Sequence, residues 1–557
     1  MTDVKHMKWW GWGVEGVGFH HEDKPGFAPF VVNAVGIDVW KEPVPPISFD
    51  ELDVPVSQTP DELFDALTTI VGPEFATKDD EERVVHTYGK SIRDLIRLRA
   101  SVLPRIPDVV VYPADESAVQ RIVDLAVASD AVIIPFGGGS NIVGSLEPIP
   151  TETRPVISLD MGRMSRVLDI DEYSGLAVIQ AGVLGPDMEE QLNARGWTMG
   201  HQPDSFTYST LGGWIATRSS GMQSDKYGDI AEITKGLRVV QPGKLLVVRP
   251  IPSSATGPSV REAILGSEGR LGVITEATVQ VHKLPAKREV IGYLFRDWDS
   301  GLAAMHDINK SDAAPSITRV SDARETAFSF STSKASHGIS GQVQKALFAF
   351  LQRRGWNLDE VCLSFIGYEG SAANVSHQKS VVGDILKKHG AITLGKGPGA
   401  LYDQKKFDTP YLRDFLLDRG AAADVSETSA PWSKLKPLYD NVFAAANKAY
   451  AEIGLEGDGW IMCHLSHSMH SGACLYFTFA FTHDGVDPLA QYDVVKSAIQ
   501  QAFIDSGATL SHHHSVGVEH SQWTEQDISP AGADLVQGMF TAVDPGNNLN
   551  PGKILPR

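Results

Sequence analysis

A β-strand that runs directly into three consecutive glycines is the feature that most constrains the fold of this chain. The apolar run AVIIPF (131–136) is typical of a buried strand, and GGGSN (137–141) follows it without a break. Upstream, PDVVVYP (107–113) predicts another short strand, and DESAVQRIVDLAVASD (115–130) has the apolar spacing of a helix. The resulting strand–helix–strand–loop order is an α/β signature.

The glycine loop is suited to holding a ligand, although a tight turn without a ligand is the alternative. Glycine lets the backbone approach a ligand closely and point successive N–H groups at phosphate oxygens. The loop is neither a GxGxxG fingerprint nor a Walker loop, because no Gly-Lys-Ser/Thr follows it. Two further segments rich in small and hydroxyl residues, at 203–230 and 266–279, favour a polar cofactor wrapped by this part of the chain.

Composition narrows the class of protein. The chain has 557 residues, which is too long for one ordinary domain. The pattern of predicted strands and helices changes near Lys287, which predicts a domain boundary there. Its net charge of −20 argues against nucleic acid as a main partner, while a small anionic substrate needs only one or two cations. Three cysteines without a CxxC predict neither a disulfide framework nor a zinc–thiolate site. The sequence has no signal-peptide core and no long apolar run, so we expect a cytoplasmic location, with peripheral membrane contact left open.

Three consecutive histidines, His512, His513 and His514, follow a helix-like segment that ends at Gly507. The segment ATLSHHHSVG (508–517) predicts a strand or an extended turn, whose backbone would place His512 and His514 on one side and His513 on the other. No accompanying motif such as HExxH supplies further ligands, so we expect no metal site. From the residues alone, both a catalytic and a structural role for the histidines stay open.

Two other residues combine an ordinary structural interpretation with a functional one. Tyr476 lies in the aromatic strand pattern GACLYFTFAF, where core packing is the default role of a tyrosine. Arg413 lies in the predicted helix PYLRDFLLDRG, where most arginines are solvated.

Six motifs together carry a family resemblance: MKWWGWG (7–13), PFGGGSN (135–141), GHQPDS (200–205), SETSAPW (426–432), GACLYFTFAF (472–481) and SHHHSVG (511–517). They resemble the motifs of alkyldihydroxyacetonephosphate synthases (alkylglycerone-phosphate synthases), flavoproteins of the vanillyl-alcohol oxidase and p-cresol methylhydroxylase superfamily. The resemblance implies an α+β fold, with a two-subdomain FAD-binding domain of the p-cresol methylhydroxylase (PCMH) type. It also implies an α/β cap domain with an antiparallel sheet and flanking helices.

The resemblance divides the chain into four regions: an N-terminal helical and extended region (1–105), the FAD-binding domain (106–286), a substrate-binding cap domain (287–505) and a C-terminal region with the histidine motif (506–557). FAD is expected to be bound noncovalently, since the glycine loop has no histidine or cysteine to tether it. The residues expected to contact FAD are Pro135, Phe136, Gly137, Gly138, Gly139, Ser140, Asn141, Asp204, Ser205, Ser209, Thr210, Thr217, Arg218, Ser219, Ser220, Ser267, Glu268, Gly269, Leu271, Gly272, Val273 and Ile274.

The resemblance also assigns roles to the active-site candidates. Tyr476 is the expected proton donor and acceptor, and Arg413 is expected to bind the substrate phosphate. His514 is the first choice for contact with substrate, followed by His512 and His513. His201 is expected near the flavin, and Arg319 is expected to be needed for activity.

The implied reaction exchanges the acyl chain of 1-acyl-dihydroxyacetone phosphate for a long-chain fatty alcohol. It forms the ether bond of an ether lipid through a flavin N5 adduct, without net redox. The resemblance further implies a homodimer. Two alternatives are an FAD-dependent dehydrogenase or oxidase of a 2-hydroxy acid or a related small alcohol, and a non-enzymatic protein that binds lipid or flavin.

Overall fold

A computed structural model describes residues 4–334, 339–455, 457–483 and 485–556. The helices of the described residues are short to medium in length and occur along the whole chain. In chain order they are α1 Phe27–Val35, α2 Asp61–Val71, α3 Asp80–Val85, α4 Ile92–Arg99, α5 Glu116–Ala128, α6 Gly185–Asn193, α7 Leu211–Thr217, α8 Ser224–Tyr227, α9 Ile230–Ile233, α10 Val260–Ile264, α11 Trp298–Asn309, α12 Ala323–Ser331, α13 Ile339–Arg353, α14 Ala372–Lys388, α15 Lys396–Lys405, α16 Thr409–Leu417, α17 Leu435–Glu452, α18 Pro488–Asp505, α19 Thr524–Ile528 and α20 Pro530–Val543.

The strands of the described residues form four sheets. In chain order they are β1 Ala76–Thr77, β2 Val109–Val111, β3 Val132–Phe136, β4 Val156–Asp160, β5 Val167–Asp171, β6 Leu176–Gln180, β7 Trp197–Thr198, β8 Thr234–Gln241, β9 Lys244–Val248, β10 Val273–Gln280, β11 His282–Lys283, β12 Lys287–Phe295, β13 Ile317–Ser321, β14 Cys362–Gly370, β15 Ile392–Gly395, β16 Ala421–Pro431, β17 Trp460–Ser468 and β18 Gly472–Thr482.

The first sheet, in the order β1-β2-β4-β3, holds the glycine loop at the end of β3. Strands β2, β3 and β4 are parallel, and α5 makes the crossover from β2 to β3. Helix α5 begins where the Asp115 side chain accepts a hydrogen bond from the Ala118 N–H, and its apolar stripe, which includes Val119 and Ile122, is buried. The predicted strand–helix–strand order is therefore confirmed.

A second sheet, in the order β5-β6-β10-β8-β9, is antiparallel throughout. The segment GLRVVQPGKLLVVRP, which the sequence analysis treats as strand, is a hairpin of β8 and β9. The turn contains Gly243, whose φ of +68° favours glycine. The segments 203–230 and 266–272 are largely irregular or in short helices, and they connect this sheet to the cavity described below.

The largest sheet has seven antiparallel strands in the order β15-β12-β14-β13-β17-β18-β16. Helices α11, α14, α17 and α18 pack against it. Side chains alternate between the two faces of a strand. In β18, Leu475 and Phe477 join the core shared with the helices, whereas Tyr476 and Thr478 line a cavity on the other face.

Both ends of the chain return to the first sheet. Near the C-terminus, the Ile133 N–H donates to the Asn548 carbonyl over 2.7 Å, and the Asn550 N–H donates to the Ile133 carbonyl over 2.8 Å. Near the N-terminus, Nε2 of His6 lies 2.8 Å from Asp160, which His86 also contacts over 2.9 Å. The two terminal segments thus pack against the sheet that carries the glycine loop.

The predicted fold class, α+β with an antiparallel cap sheet and flanking helices, is confirmed by these four sheets. The segment that carries the three histidines, for which a strand or an extended turn is expected, is an irregular loop with bends, so the strand alternative is wrong. Within the part of the chain that the structure covers, the helices are too short or too polar to cross a membrane.

Candidate active site

A cavity of about 360 Å³ lies between the glycine loop and the seven-stranded sheet. One end of its wall is formed by the loop residues 135–141. The end at the seven-stranded sheet is formed by Tyr476, Arg319 and two of the three histidines, His513 and His514. A further part of the wall is apolar and comes from α1, α16 and the ends of β17 and β18, with Phe27, Leu416 and Trp460 among its residues. The cavity therefore joins a polar reaction zone to a space suited to aliphatic chains.

The glycines of the loop are required by close packing behind it. A Cβ on Gly138 would lie 1.8 Å from the Tyr208 carbonyl oxygen, and one on Gly137 would lie 2.3 Å from Oγ1 of Thr210. Gly139 has a φ of +68°. The loop backbone thus lies directly against the 208–210 segment and presents its other side to the cavity.

The structure places most of the predicted cofactor-binding residues in this wall. They are Pro135, Phe136, Gly137, Gly138, Gly139, Ser140, Asn141, Asp204, Ser205, Ser209, Thr210, Thr217, Ser219, Ser220, Glu268, Gly269, Gly272, Val273 and Ile274. Three others lie elsewhere. Arg218 has a φ of +54° and pairs with Glu262 at the surface, and Leu271 belongs to the core. Ser267 is buried outside the wall.

The residues that line the cavity fit a bound dinucleotide. The glycine loop lines the cavity, and successive backbone N–H groups of such a loop can bind a pyrophosphate. Asn550 also lines the cavity, and its buried Oδ1 has no hydrogen-bond partner among the described residues, so it is available to a ligand donor. Its amide nitrogen is already used, donating to the carbonyls of Ser145 and Glu268 over 3.0 and 2.7 Å.

Tyr476 is at the centre of a cross-strand row on the cavity face of the large sheet. Its register partner on β17 is His464 and its partner on β16 is Glu427. The ring of His464 stacks on Tyr476 at 4.9 Å, and the rings of His513 and His514 lie 5.9 and 5.6 Å from it. Residues distant in the sequence therefore form one aromatic cluster around the phenol.

In this cluster the pKa of the phenol and the pKa values of two imidazoles shift in opposite directions. Burial raises the pKa of Tyr476 well above its ordinary value, and the charges of Asp204 and Glu427 act in the same direction. Burial lowers the pKa of His513 to about 3 and that of His514 to about 4, although Glu427 opposes both shifts. At neutral pH the phenol keeps its proton while both imidazoles are neutral, which is the arrangement of a proton donor beside two bases.

Arg319, on β13, is held by an ion pair. Its Nη2 lies 2.6 Å from Oε1 of Glu325 and 3.1 Å from Nδ1 of His464, which in turn lies 2.8 Å from the second oxygen of Glu325. Burial would raise the pKa of Glu325, but His464 and Arg319 outweigh it and lower that pKa to about 2. Arg319 and Glu325 thus form an ion pair that holds His464, whose ring stacks on Tyr476.

The histidine loop is anchored by two buried carboxylates, one from each side of the cavity. The backbone N–H groups of His512, His513 and His514 donate to Glu427 over 2.8, 3.1 and 3.0 Å. Farther along, the N–H groups of residues 516 and 517 donate to Glu268 over 3.0 and 2.9 Å. Because these donors are satisfied by carboxylates, the segment needs no strand partner, and this explains why it is a loop.

The charge of Glu427 is stabilised where it is buried. Burial alone would raise its pKa, but the neighbouring histidines and the hydroxyl of Ser511, 2.6 Å from Oε1, hold that pKa well below its usual range. Glu427 does not itself line the cavity. It acts on the cavity from behind, through its hydrogen bonds to the histidine loop and from its position opposite Tyr476 in the sheet.

Arg413 lies on α16, as predicted, and lines the cavity. Its guanidinium donates to the Lys90 carbonyl and lies 3.4 Å from Asp414. Its buried Nε has no hydrogen-bond partner among the described residues. A guanidinium has five N–H donors, so Arg413 retains donors for an anionic ligand.

Two predicted residues lie just behind the wall. His201 is fully buried, and its Nε2 lies 3.3 Å from the hydroxyl of Ser219, which does line the cavity. His512 has its Nδ1 3.1 Å from Nδ1 of His513 and its Nε2 3.7 Å from Asp229. Both residues touch lining residues and are not part of the wall.

Sequence reasoning did not single out four residues of this cluster: Glu325, Glu427, His464 and His467. Glu427 stands inside the quoted motif SETSAPW, which was a signal without an assigned role. The ring of His467 lies 5.6 Å from those of His512 and His513, and these three with Cys474 have a spacing that could hold a metal ion. The prediction of no metal stays a prediction.

Comparison with known proteins first identifies the class. Residues 107–248 match the family model of the FAD binding domain, and residues 284–554 match that of FAD linked oxidases, C-terminal domain. The fold is also that of p-cresol methylhydroxylase, whose structure is 16% identical and superposes with a TM-score of 0.67 over 91% of this chain and 99% of that one. The protein is an FAD-binding enzyme of this fold class.

More similar relatives define the family. An alkyldihydroxyacetonephosphate synthase of Dictyostelium discoideum is 40% identical over 86% of this chain and 78% of its own length. Another, of Trypanosoma brucei brucei, is 37% identical over 100% of this chain and 94% of its own. A solved alkyldihydroxyacetonephosphate synthase structure is 34% identical, covers 98% of both chains and has a TM-score of 0.86. The chain belongs to the alkyldihydroxyacetonephosphate synthase family.

Proposed function

We propose that the protein replaces the acyl chain of 1-acyl-dihydroxyacetone phosphate with a long-chain fatty alcohol, releasing a fatty acid and forming the ether bond of an ether lipid. The observation that carries this proposal is Tyr476, buried among His464, His513 and His514 on the wall of a cavity that joins a glycine-loop cofactor site to an apolar space. A hydroxy-acid dehydrogenase has no need of that apolar space.

The cavity matches the two halves of this substrate. Arg413, in the wall, supplies a buried cation for the phosphate. Near it, Leu412 and Leu416 on the same helix and Val31 and Val35 on α1 supply apolar surface for an aliphatic chain. One helix, α16, thus presents both the anion-binding group and part of the chain-binding surface.

FAD, when bound against the glycine loop, supplies the electrophile that makes this exchange accessible without net redox. The protein contributes proton transfer and binding. The Tyr476 phenol, protonated at neutral pH, is placed to donate a proton, and His513 or His514 is placed to accept one. Arg319 and Glu325 hold His464, which fixes the Tyr476 ring from its other side.

Five finer features belong to the same proposal. FAD is held noncovalently, and the chain divides at about residues 105, 286 and 505 into the four regions expected from sequence. The protein works as a cytoplasmic homodimer that contacts membranes peripherally, where its lipid substrates are dissolved. Exposed Val32, Trp40 and Val44, on and just after α1, support such a contact because α1 also lines the cavity.

The test is one assay on the purified holoenzyme. We expect 1-palmitoyl-dihydroxyacetone phosphate and isotope-labelled hexadecanol to give labelled ether lipid without any electron acceptor. Absence of ether lipid, together with bleaching of the flavin by a 2-hydroxy acid, would replace this proposal with the dehydrogenase. Proteins named glycolate oxidase subunit GlcD and D-lactate dehydrogenase, with 23% and 24% identity, are among the more distant relatives.

A further inference from the structure

The buried carboxylate of Glu427 contacts both the backbone and the side chains of the histidine loop. It accepts backbone N–H bonds from three successive residues, His512 to His514, and a hydroxyl bond from Ser511. Its oxygens also lie close to ring nitrogens: Oε2 is 3.3 Å from Nδ1 of His513, and Oε1 is 3.6 Å from Nδ1 of His514. One carboxylate therefore meets both the backbone and the rings of the histidine loop.

A neutral imidazole has one N–H donor and one acceptor nitrogen, and its neighbours decide which nitrogen holds the proton. An ionised carboxylate can only accept. The charge of Glu427, 3.3 Å from Nδ1 of His513 and 3.6 Å from Nδ1 of His514, favours in each ring the tautomer with its proton on Nδ1. In His513 this proton also faces Nδ1 of His512, 3.1 Å away, which can accept it. The lone pair is then on Nε2, at the opposite side of the ring from Glu427.

We infer that Glu427 is a positioning residue: it fixes the backbone of residues 512–514 and holds His513 and His514 in the Nδ1–H tautomer, so that each ring presents a basic Nε2. The register supports this role, since Glu427 lies directly opposite Tyr476 on the neighbouring strand. The same sheet row thus fixes the phenol and the rings that exchange protons with it. This inference rests on the proposed function for its catalytic meaning but not for its geometry.

The first experiment reads the tautomers in the wild-type holoenzyme. Histidine labelled with ¹⁵N distinguishes a protonated from an unprotonated ring nitrogen by NMR, and His513→Gln and His514→Gln identify the two signals. We expect both rings to carry their proton on Nδ1. Protonation of both rings on Nε2 would overturn the inference. This result is independent of any assay, so it decides the role of Glu427 even if no ether lipid is formed.

The second experiment separates positioning from simple support of the loop. Glu427→Gln keeps the shape and one acceptor oxygen but removes the charge, whereas Ser511→Ala removes one bond to the same carboxylate and keeps the charge. We expect Glu427→Gln to lower kcat by about 10²-fold, with the KM for acyl-dihydroxyacetone phosphate changed by less than about twofold and bound FAD unchanged. Ser511→Ala should lower kcat by at most about threefold.

Equal losses of kcat in the two variants would mean that Glu427 only supports the loop, and an unchanged kcat in Glu427→Gln would also overturn the inference. If Glu427→Gln does not fold, the wild-type tautomers remain decisive. If the wild-type enzyme forms no ether lipid, the proposed reaction fails while the tautomer result stands by itself.

Discussion

At the scale of single residues, Tyr476 is the group on which the proposed chemistry depends. Its phenol keeps its proton because burial and the charges of Asp204 and Glu427 raise its pKa. Replacing it with Phe keeps the stacked ring and removes the phenolic proton. We expect Tyr476→Phe to lower kcat by about 10²–10⁴-fold, the range of general acid–base catalysis, with FAD content unchanged.

The control for Tyr476→Phe is Tyr293→Phe, which removes a phenol that pairs with Tyr368 outside the cavity. We expect that variant to keep full activity in the ether-forming assay. Full activity in Tyr476→Phe would remove Tyr476 from the catalytic residues.

Arg413 gives a second prediction at this scale, because its guanidinium retains donors inside the cavity. A hydrogen bond to a charged group contributes about 1.5–3 kcal/mol, so Arg413→Ala should raise the KM for acyl-dihydroxyacetone phosphate by about 10–100-fold. Steady-state kinetics with the phosphate-free acyl-dihydroxyacetone provide the control, since both enzymes should use it equally poorly. An unchanged KM for the phosphorylated substrate would assign the phosphate to another group.

Sequence motifs could identify Tyr476 and the histidines but not their partners. Glu427 and His464 are 49 and 12 residues from Tyr476 in the chain and become its neighbours only through the strand order β17-β18-β16. The pairing of β16 with β18 is long-range, and the register of the β17–β18 hairpin, which sets His464 opposite Tyr476, is not specified by the residues of one strand. Arg218 shows the reverse case: it stands in a cofactor-binding segment, but its backbone conformation directs the side chain to Glu262 at the surface.

At the scale of elements, helix α1 is expected to set the length of chain that the enzyme accepts. Ala34 lies on its cavity side, and Val32 is exposed on the other side of the same helix. Ala34→Phe would fill part of the apolar space and shift the preference toward shorter alcohols and acyl chains. Val32→Phe adds the same ring to the solvent side and should leave the preference unchanged. Competition between alcohols of different length measures the shift, and an unchanged profile in Ala34→Phe would place the chain elsewhere.

The N-terminal segment is fixed by an ion pair whose effect depends on pH. Burial opposes protonation of His6, but the hydrogen bond to Asp160 and its charge outweigh burial and raise the pKa of His6. Burial would raise the pKa of Asp160, but hydrogen bonds to His6 and His86 lower it to about 2. The contribution of His6 to the free energy of unfolding is fully present below its unfolded pKa of about 6.5 and is lost as the pH rises through its higher folded pKa. The contribution of Asp160 is fully present above its unfolded pKa of about 3.9 and is lost as the pH falls toward its folded pKa of about 2.

Both groups contribute fully to the free energy of unfolding between about pH 4 and 6.5. We therefore expect His6→Ala to lower Tm by roughly 2–4 °C near pH 6, with a smaller difference at pH 9. His306→Ala, which breaks a more exposed contact with Asp307, should change Tm little at either pH. A Tm difference for His6→Ala that does not change with pH would contradict this assignment.

Local patterns predicted the elements best where the chain itself supplies the signals. The helix predicted over residues 115–130 is α5, Glu116–Ala128, and α18 ends at Asp505, shortly before Gly507 with its φ of +70°. The histidine segment was predicted wrongly because its backbone is held by Glu427 and Glu268, two residues that periodicity cannot place. The boundary near Lys287, where β12 begins, stays a prediction.

At the scale of the whole molecule, the histidine loop connects the two halves of the site. One end is bound by Glu427 from the large sheet and the other by Glu268 from the FAD side, which also accepts a hydrogen bond from Ser145 over 2.5 Å. A movement of the large sheet relative to the glycine loop would have to break one of these buried contacts. The histidines of the loop are thus placed by the assembly of both halves and not by either half alone.

The same arrangement leads to the last prediction, that FAD is dissociable. The histidines of the wall, among them His464 and His514, come from the large sheet and its loop, and the wall residues 135–141 include no histidine or cysteine to form a covalent bond to flavin. Denaturation followed by ultrafiltration should therefore release all of the yellow colour into the filtrate. The retained protein should show no flavin fluorescence on a denaturing gel, whereas fluorescence in the protein band would require a tether. Refolding is not needed for this test, because it compares bound with released flavin in one sample.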